Sequence, residues 1–293
     1  MFLAPNCPGC GGRRHLEWPA HVAPFIEEYV LAESAGKCNL RECLDCGLRY
    51  FDRRYTADEM RRLYEDYRGD RYVRIRRKCE PGYDNTAAIG DVSLRRATLN
   101  DFLRHNLGKT FSGPVLDFGG DEGQFIPDFF TGERYVHDVT TKPLVGGAKR
   151  ISDLAELEGR PPAFVLCCHV LEHLPEPIEV LNTISGFLPR GGKIYVEVPN
   201  ERIRLRWIGD SRLYRRCFDF LNRQSLTAPA IIALVRLLAR AGKSIPPLID
   251  PPLHEHINFF HQRSLTALLV RAQYRIVAFR EDTAVHRVLA EKT

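Results

Sequence analysis

Residues 115–125, Val-Leu-Asp-Phe-Gly-Gly-Asp-Glu-Gly-Gln-Phe, constrain the fold of this chain more than any other stretch. The short apolar run that ends at Asp117 predicts a buried strand. The glycines that follow allow a sharp turn and a close approach of the backbone to a ligand. We expect a helix to begin directly after the turn. The free N–H groups at its N-terminus would suit an acidic or polar ligand. Such a unit can hold a dinucleotide, a phosphate or an adenosyl cofactor.

Strand and helix patterns alternate through the second half of the chain. Strands are predicted at 115–118, 134–139, 163–168, 193–198, 274–280 and 285–290. Helices are predicted at 122–131, 153–158, 177–188 and 264–272, after earlier helices at 56–67 and 93–106 and beside a long apolar helix at 227–241. The alternation predicts an α/β fold with a mainly parallel, doubly wound sheet and helices on both faces.

Length and composition suit one large domain and a small one in a chain of 293 residues. We divide it into a zinc-binding module at 1–55, a helical linker or substrate-covering segment at 56–110, and a cofactor-binding core at 111–200. A helical insertion or lid at 201–250 and the end of the core sheet at 251–293 complete the division. In the first segment, short strands are expected at 22–26 and 28–32. The net charge of +5 is too small to argue for nucleic acid by itself.

Two Cys-x-x-Cys pairs lie in the N-terminal segment, Cys7 with Cys10 and Cys43 with Cys46. Four thiolates at this spacing can bind one Zn²⁺ tetrahedrally, leaving no open position, so the site would be structural. A disulfide or unrelated thiols are the alternatives, and Cys38 or His15 could replace a ligand. No apolar run is long enough for a membrane span and no signal peptide precedes the module, so a cytoplasmic protein is expected.

Polar residues stand where successive predicted strands end. Asp117 ends the first, and Asp138, about 20 residues beyond the glycines, suits the ribose hydroxyls of a nucleotide. Asp153 follows as a group suited to the exocyclic amine of an adenine. The next strand ends in Cys167-Cys168-His169, followed by Val-Leu-Glu-His-Leu-Pro-Glu-Pro. Because a doubly wound sheet binds ligands at the carboxyl ends of its strands, these residues predict one site.

This ordered set resembles the class I S-adenosylmethionine-dependent methyltransferases, above all in the Leu-Glu-His-Leu-x-x-Pro segment and the Gly-Gly turn before the fifth strand. The resemblance covers about 93–200 and 251–293, and implies a Rossmann-like, seven-stranded, mostly parallel sheet. It implies that Asp117 and the glycines surround the methionine moiety, Asp138 the ribose, Asp153 the adenine, and that His169 borders the sulfonium. The implied cofactor-binding set is Asp117, Gly119, Gly120, Gly123, Gln124, Phe125, Asp138, Asp153, Cys168 and His169. Asp121 departs from the family, which often has glycine there.

The two ends of the chain resemble sugar methyltransferases that carry an N-terminal zinc-binding module. The shared features are the paired Cys-x-x-Cys motifs and the segment His-Glu-His-Ile-Asn-Phe-Phe at 254–260. Leu253 replaces a tyrosine expected in the C-methyltransferase branch, whose large C-terminal domain is not in this sequence. The resemblance therefore favours O-methylation of a sugar, nucleotide sugar, glycan or related hydroxylated metabolite.

A hydroxyl acceptor loses a proton as the methyl group is transferred, and histidine is suited to remove it near neutral pH. The candidate bases are His256, His254 and His173, with His261 also nearby in the sequence. Residues i and i+2 of an extended segment point in opposite directions, so only one of His254 and His256 is expected to face the acceptor.

Arginines are concentrated between 202 and 223, and a second basic stretch runs from 71 to 78. Guanidinium groups bind phosphate in a bidentate manner, so a phosphate-bearing acceptor is one interpretation and a solvated surface is the other. Tyr64, Tyr67, Tyr72 and Tyr83 could stack on a sugar or base, or simply pack together. Nucleic acid is not the expected partner.

Four other functions remain open at this stage. They are C- or N-methylation of a nucleotide sugar or small molecule, methylation of RNA, a non-catalytic zinc-stapled interaction protein, and a dehydrogenase. A dehydrogenase would have a closer Gly-x-Gly-x-x-Gly and would not need the Glu-His-Leu segment. The oligomeric state does not follow from the sequence.

Overall fold

The computed structural model describes residues 1–31, 38–80, 83–85, 92–201, 234 and 252–293. The strands are β1 (Phe2–Leu3), β2 (His15–Ala20), β3 (Cys38–Cys43), β4 (Arg49–Phe51), β5 (Arg53–Arg54), β6 (Val115–Phe118), β7 (Arg134–His137), β8 (Lys149–Arg150), β9 (Phe164–Cys168), β10 (Lys193–Pro199), β11 (Asn258–Phe259), β12 (Tyr274–Glu281) and β13 (Val285–Lys292). The α-helices are α1 (Pro24–Ile26), α2 (Ala57–Tyr64), α3 (Asp70–Cys79), α4 (Val92–Leu107), α5 (Pro177–Phe187) and α6 (Gln262–Arg271).

The chain forms two compact units. The first contains Met1–Cys7, Gly11–Ala88 and Glu201–Phe259, and the second contains Pro8–Cys10, Ile89–Asn200 and Phe260–Thr293. Residues 252–259, which the sequence places with the end of the core sheet, are therefore part of the first unit. No helix in the described ranges is both long and apolar enough to cross a bilayer.

The second unit is built on a seven-stranded sheet in the order β12-β13-β10-β9-β6-β7-β8. Only β13 runs in the direction opposite to the other six strands, so the predicted α/β, mostly parallel fold is confirmed. The central strands β6 and β9 are buried apolar runs, as expected for strands covered on both faces. Strand order reverses between β6 and β9, which makes their carboxyl ends the topological switch point.

The first unit contains a four-stranded antiparallel sheet in the order β11-β4-β3-β2 and a smaller pair of β1 with β5. Its core includes Phe25, Phe51, Tyr72 and Leu253. The predicted strands at 22–26 and 28–32 are wrong where the chain is described. Pro24 instead opens α1, where its fixed φ suits a first helical turn, and 27–31 continue as a π-helical turn.

The predicted helix at 122–131 is also wrong. Residues 119–131, all of which are described, form turns. Asp121 and Gly123 have φ values of 51° and 78°, in the left-handed region that a right-handed helix excludes. Residues 154–157, within the helix predicted at 153–158, form a 3₁₀ helix. The predicted helix at 227–241 and the arginines between 202 and 223 fall outside the described residues, apart from Leu234.

Thr56 begins α2 with a complete capping box, within the helix predicted at 56–67. Its hydroxyl accepts the Glu59 N–H at 3.3 Å, and the Glu59 carboxylate accepts the Thr56 N–H at 2.7 Å. The N-terminal amine of Met1 also pairs with Glu59 at 2.6 Å. The cap therefore joins the start of the chain to the start of α2.

We expect Thr56→Ala to lower the free energy of unfolding of the first unit by about 1 kcal/mol, because one N–H at the helix start loses its acceptor. Urea denaturation followed by circular dichroism measures the change. Asp58→Ala is the control, since Asp58 is exposed in the same helical turn. Equal effects of the two substitutions would contradict a specific contribution from the cap.

Candidate functional site

Asp117, the residue before the last of β6, has an unsatisfied carboxylate at the switch point. It is 1% exposed, and neither of its oxygens has a hydrogen-bond partner among the described residues. Gly120 lies directly against it, because a Cβ at Gly120 would stand 2.4 Å from Asp117 Oδ2. Buried polar groups in proteins are normally hydrogen-bonded. An orphaned carboxylate beside a glycine cradle is therefore the signature of a ligand site.

The environment of Asp117 alters its protonation. Burial raises the pKa of this carboxyl to about 7, and the carboxylate of Asp138 adds to the rise, while Arg95 opposes it. A cationic group placed beside Asp117 would favour the ionised form. The arrangement suits the α-ammonium group of an amino acid.

The glycine loop brings the ends of β6 and β9 together. Gly119 has a φ of 71°, its N–H donates to the His137 carbonyl at 2.8 Å, and a Cβ there would lie 2.5 Å from Val170. A side chain at position 119 would therefore push away the loop that follows β9. Since the loop continues as turns, the binding of a ligand by a helix N-terminus, expected from the sequence, has no structural basis here.

Asp138 lies just beyond β7 and fixes the rim of the loop. Its carboxylate accepts the N–H groups of Asp121 and Thr140, each at 2.8 Å. The Asp121 carboxylate in turn accepts from the Thr140 hydroxyl at 3.0 Å and from Lys142 Nζ at 2.9 Å. Asp121, the departure from glycine, thus ties the glycine loop to the segment after β7.

The remaining predicted cofactor residues lie on the same edge of the sheet or beside it. Asp153 caps the 3₁₀ turn at 154–157, accepting the Ala155 N–H at 2.9 Å. Gln124 accepts the Glu122 N–H at 3.2 Å, and Phe125 is buried. Cys168 is the buried last residue of β9, and burial raises the pKa of its thiol.

His169 follows Cys168 between two buried carboxylates. Its ring nitrogens lie 3.3 Å from Glu172 and 3.2 Å from Glu197. Burial opposes a charge on the ring, but the hydrogen bonds to the two glutamates prevail and raise the pKa of His169. The residue has a φ of 57°, so the chain turns sharply here.

Glu197 of β10 is fully buried and collects four donors. Arg95 Nε donates at 2.6 Å, Tyr195 at 2.7 Å and Arg287 Nε at 3.1 Å, in addition to His169. Burial would raise the pKa of Glu197, but the hydrogen bond with His169 and the charge of Arg95 outweigh it and lower the pKa to about 2. Glu197 is therefore a carboxylate at any working pH.

The three candidate bases have different surroundings. His173 Nε2 lies 3.8 Å from Glu172. His254 stacks on Phe25 and uses both ring nitrogens: Nδ1 accepts the Glu255 N–H at 2.9 Å and Nε2 lies 2.9 Å from Glu80. Such a ring is held as part of the scaffold.

His256 forms a dyad with Glu201. Its Nδ1 lies 2.6 Å from Glu201 Oε1, and the ring is 30% exposed. A carboxylate on Nδ1 fixes that nitrogen as the proton carrier and strengthens Nε2 as a proton acceptor. The contact with Glu201 orients the His256 ring. His261, by contrast, caps α6.

The segment that carries His256 is anchored on both sides within the first unit. The backbone of Leu253 exchanges hydrogen bonds with Ala23 and His21 at 2.9 and 2.8 Å. Arg54, which is fully buried, donates to the Ile257 carbonyl at 3.1 Å and to the Asn258 side chain at 2.7 Å. The dyad therefore stands on a rigid support rather than on a loose loop.

The four predicted sugar-stacking tyrosines pack on one another. Ring centroids are 5.1 Å apart for Tyr64 and Tyr67, 5.4 Å for Tyr67 and Tyr72, and 6.3 Å for Tyr72 and Tyr83. The basic stretch at 71–78 belongs to α3, and Arg76 within it pairs with Glu80 and Glu255. Part of this charge is thus neutralised inside the first unit.

The four cysteines of the two pairs come together. The sulfurs of Cys7, Cys10, Cys43 and Cys46 all lie within 4.8 Å of one another. The Cys7 and Cys46 sulfurs are 3.6 Å apart, well beyond a bonded S–S distance of about 2 Å. Cys38 and His15 do not belong to this group as the described residues place it.

Sequence reasoning missed Arg95, Glu197 and Glu201 as site residues. Arg95 stands four residues before buried Leu99 in α4, so helical periodicity assigns both to one face. The available signal in the sequence was a charged residue, Arg95, on the apolar face of a predicted helix. Glu197 is the one charged residue in the buried run 194–198 of β10, which is a similar signal. Glu201 had none, because its importance comes from a residue far along the chain.

A family described as "methyltransferase domain" matches residues 92–278 of the sequence. The chain belongs to this methyltransferase family. The protein is an S-adenosylmethionine-dependent methyltransferase, as its resemblance to that class implies. No curated protein matches the methyltransferase significantly.

Several solved structures are similar to this methyltransferase. Magnesium protoporphyrin IX methyltransferase from Synechocystis PCC 6803 with bound SAH is 15% identical, with 79% of this chain and 98% of that chain covered and a TM-score of 0.47. An O-methyltransferase family protein from Burkholderia thailandensis is 14% identical over 69% of this chain, with a TM-score of 0.39. The methyltransferase spans 57% of that Burkholderia chain.

The residues present fit S-adenosylmethionine. The orphaned Asp117 carboxylate suits an ammonium group, and the cradle at Gly119 and Gly120 excludes side chains where a ligand would approach. Both features lie at the switch point of the sheet. The cofactor, when bound, supplies an electrophilic methyl group on a sulfonium.

We expect Asp117→Asn to gain stability relative to the wild type as pH rises from 5 to 8 without cofactor. The folded carboxyl has a pKa of about 7 against 3.8 in an ordinary environment. The folded wild type therefore holds a proton that the unfolded chain releases, and loses stability as pH rises through this window. The difference should be about 2 kcal/mol.

Thermal unfolding at pH 5 and pH 8 measures this change. Asp128→Asn is the control, since the Asp128 side chain is 65% exposed. A stability difference between Asp117→Asn and the wild type that does not move with pH would contradict the raised pKa.

Proposed function

We propose that this methyltransferase O-methylates a sugar, nucleotide sugar, glycan or related hydroxylated metabolite, with His256 as general base. The observation that carries the proposal is the 2.6 Å contact between His256 Nδ1 and Glu201. A hydroxyl acceptor needs a base, such as an oriented histidine, to remove its proton. An amine that attacks as its free base does not need one.

In the proposed mechanism, His256 Nε2 would accept the proton of the acceptor hydroxyl, and S-adenosylmethionine, when bound, would supply the methyl group. Glu201 holds the Nδ1 proton and stabilises the imidazolium that forms. Alignment of acceptor and methyl group supplies much of the rate enhancement in such displacements. Asp117 and the glycine loop hold the amino-acid end of the cofactor, and Asp138 is assigned to its ribose.

The acceptor class is supported by the resemblance of the chain ends to sugar methyltransferases. The carbohydrate assignment and a phosphate on the acceptor are parts of the proposal rather than properties of the fold. C- or N-methylation and methylation of RNA are the outcomes that an acceptor screen would distinguish. Transfer to RNA would be accompanied by binding that weakens steeply with salt.

We also propose that the four cysteines bind one structural Zn²⁺. Three of them are buried, they converge within 4.8 Å, and thiolates at this spacing suit tetrahedral zinc. Metal binding to such a group of thiolates contributes to the free energy of folding. Reduced thiolate ligands fit a reducing compartment, and we place the protein in the cytoplasm as part of this proposal.

We expect His256→Gln to lower kcat about 10²- to 10⁴-fold on the best acceptor, while affinity for S-adenosylmethionine changes little. Formation of S-adenosylhomocysteine with a panel of nucleotide sugars, sugar phosphates, glycans, amines and tRNA identifies the acceptor. Calorimetry measures cofactor affinity.

Two further variants sharpen this experiment. His105→Gln, an exposed histidine in the last turn of α4, should keep full activity. Glu201→Gln should lose part of kcat, since it leaves the base in place without its carboxylate. Activity of His256→Gln within about threefold of the wild type would exclude His256 as the base.

We expect one Zn²⁺ per chain in protein purified without added metal, and loss of that zinc with a fall in melting temperature in Cys43→Ser/Cys46→Ser. Elemental analysis and thermal unfolding measure both. Cys79→Ser is the control, because Cys79 is a half-buried thiol outside the group. Zinc retained by the double variant, or missing from the wild type, would refute the metal site.

A further inference from the structure

Asn200 follows the carboxyl end of β10 and holds a buried amide oxygen without a hydrogen-bond partner. The residue is 7% exposed, and its Oδ1 has no partner among the residues that the structure describes. Both N–H groups of the amide are used, because Nδ2 donates to Glu281 Oε1 at 3.1 Å and to the Asp282 carbonyl at 2.9 Å. Buried polar atoms are normally satisfied, so a donor that arrives with a ligand is expected to meet this oxygen.

The orientation of this amide is fixed by the hairpin between β12 and β13. Turning the amide by 180° would place Oδ1 against two other acceptors, the Glu281 carboxylate and the Asp282 carbonyl. The Asn200 N–H donates to the Ala284 carbonyl at 2.8 Å. The Asp282 carboxylate accepts the N–H groups of Ala284 and Val285, each at 2.8 Å, and so closes the hairpin. The position of the orphaned oxygen is therefore set by the protein before any ligand binds.

Asn200 lies away from the nucleoside end of the cofactor site. In the sheet order β10-β9-β6-β7, strand β9 separates β10 from β6, which carries Asp117 and leads into the glycine loop. Asp138, assigned to the ribose, follows β7 and is farther still from β10. Ligands of such sheets bind at the carboxyl ends of the strands. A group that meets Asn200 Oδ1 therefore belongs to the second ligand of the reaction, the methyl acceptor.

We propose that Asn200 Oδ1 accepts a hydrogen bond from a hydroxyl group of the acceptor other than the one that is methylated. An amide oxygen is a neutral hydrogen-bond acceptor, which binds an O–H group but does not remove its proton. Asn200 thus recognises an acceptor that carries at least two hydroxyl groups, as sugars do. The inference rests on the proposed O-methylation and adds a specificity-determining residue to it.

The alternative is that Asn200 only anchors the hairpin. That role uses its backbone N–H and its Nδ2, and it leaves the buried oxygen unexplained. Asn258 provides the contrast, since it is 1% exposed and its Oδ1 accepts from Arg54 Nη2 at 2.7 Å. The amide oxygen of that structural asparagine is satisfied within the protein.

Steady-state kinetics of the full chain with deoxy analogues of the acceptor test the proposal. The parent acceptor is the nucleotide sugar, sugar phosphate or glycan that gives the most S-adenosylhomocysteine in the panel above, and each analogue lacks one hydroxyl that is not methylated. With wild-type protein, one analogue should lose about 10- to 100-fold in kcat/KM, the range expected for a hydrogen bond to a buried group. Asn200→Ala should raise KM for the parent by a similar factor and leave kcat and the kinetics of that analogue nearly unchanged, because the lost interaction is one of binding.

Glu281→Ala is the matched control, because it removes one hydrogen bond of the Asn200 amide, leaves Oδ1 in place and should keep the preference for the parent. Calorimetry with S-adenosylmethionine verifies that each variant is folded. Wild-type protein that methylates every analogue as well as the parent would overturn the role of Asn200, as would a folded Asn200→Ala variant that is weakened equally for parent and analogue. A panel in which no nucleotide sugar, sugar phosphate or glycan is methylated would instead refute the proposed function, so the two failures are distinguishable.

Discussion

The second unit depends on one buried carboxylate, Glu197. It lies on β10 and is contacted by Arg95 of α4, Arg287 of β13 and His169 beyond β9, so it fixes three other elements against one strand. Removing a buried charge from water costs several kcal/mol, and the loss is offset only when the partners are well placed. With four donors, Glu197 meets that condition. Its role is to position, since its pKa of about 2 keeps it from exchanging protons.

Asp117, on strand β6 next to β9, differs from Glu197 in its hydrogen bonding. It has the same charge type and similar burial, yet no donor among the described residues approaches it, and its pKa lies near 7. Glu197 receives four hydrogen-bond donors and acts as a structural carboxylate. Asp117 receives none among the described residues, which is the state expected of a carboxylate that binds a ligand. The glycine cradle reinforces this reading, because at Gly120 a side chain would collide with the carboxylate. Strain and unsatisfied charge of this kind are concentrated at functional sites.

Most of the second unit could be predicted from the sequence, because its parallel strands are buried on both faces and appear as continuous apolar runs. Strand β6 begins and ends at the predicted residues, and helices α4 and α5 lie within one residue of theirs. The helix predicted after β6 failed for an identifiable reason. Phe125, Ile126, Phe129 and Phe130 have helical spacing and are all buried, but the left-handed residues Asp121 and Gly123 prevent the helix from starting. The spacing of apolar residues indicates which side chains are buried. Side chains with helical spacing can also be buried by a chain that is not helical.

The part of the site that the sequence could not supply consists of pairings between distant residues. The partner of His256 is Glu201, 55 residues away, and the partner of His254 is Glu80, 174 residues away. From the sequence, only one of these two histidines was expected to face the acceptor, and their partners were not predictable. The structure separates them through hydrogen bonds: Glu80 and the Glu255 N–H occupy both nitrogens of His254, whereas the carboxylate of Glu201 lies on Nδ1 of His256. The chemical difference between two residues of one motif thus comes from their partners, and partner choice is a property of the folded chain.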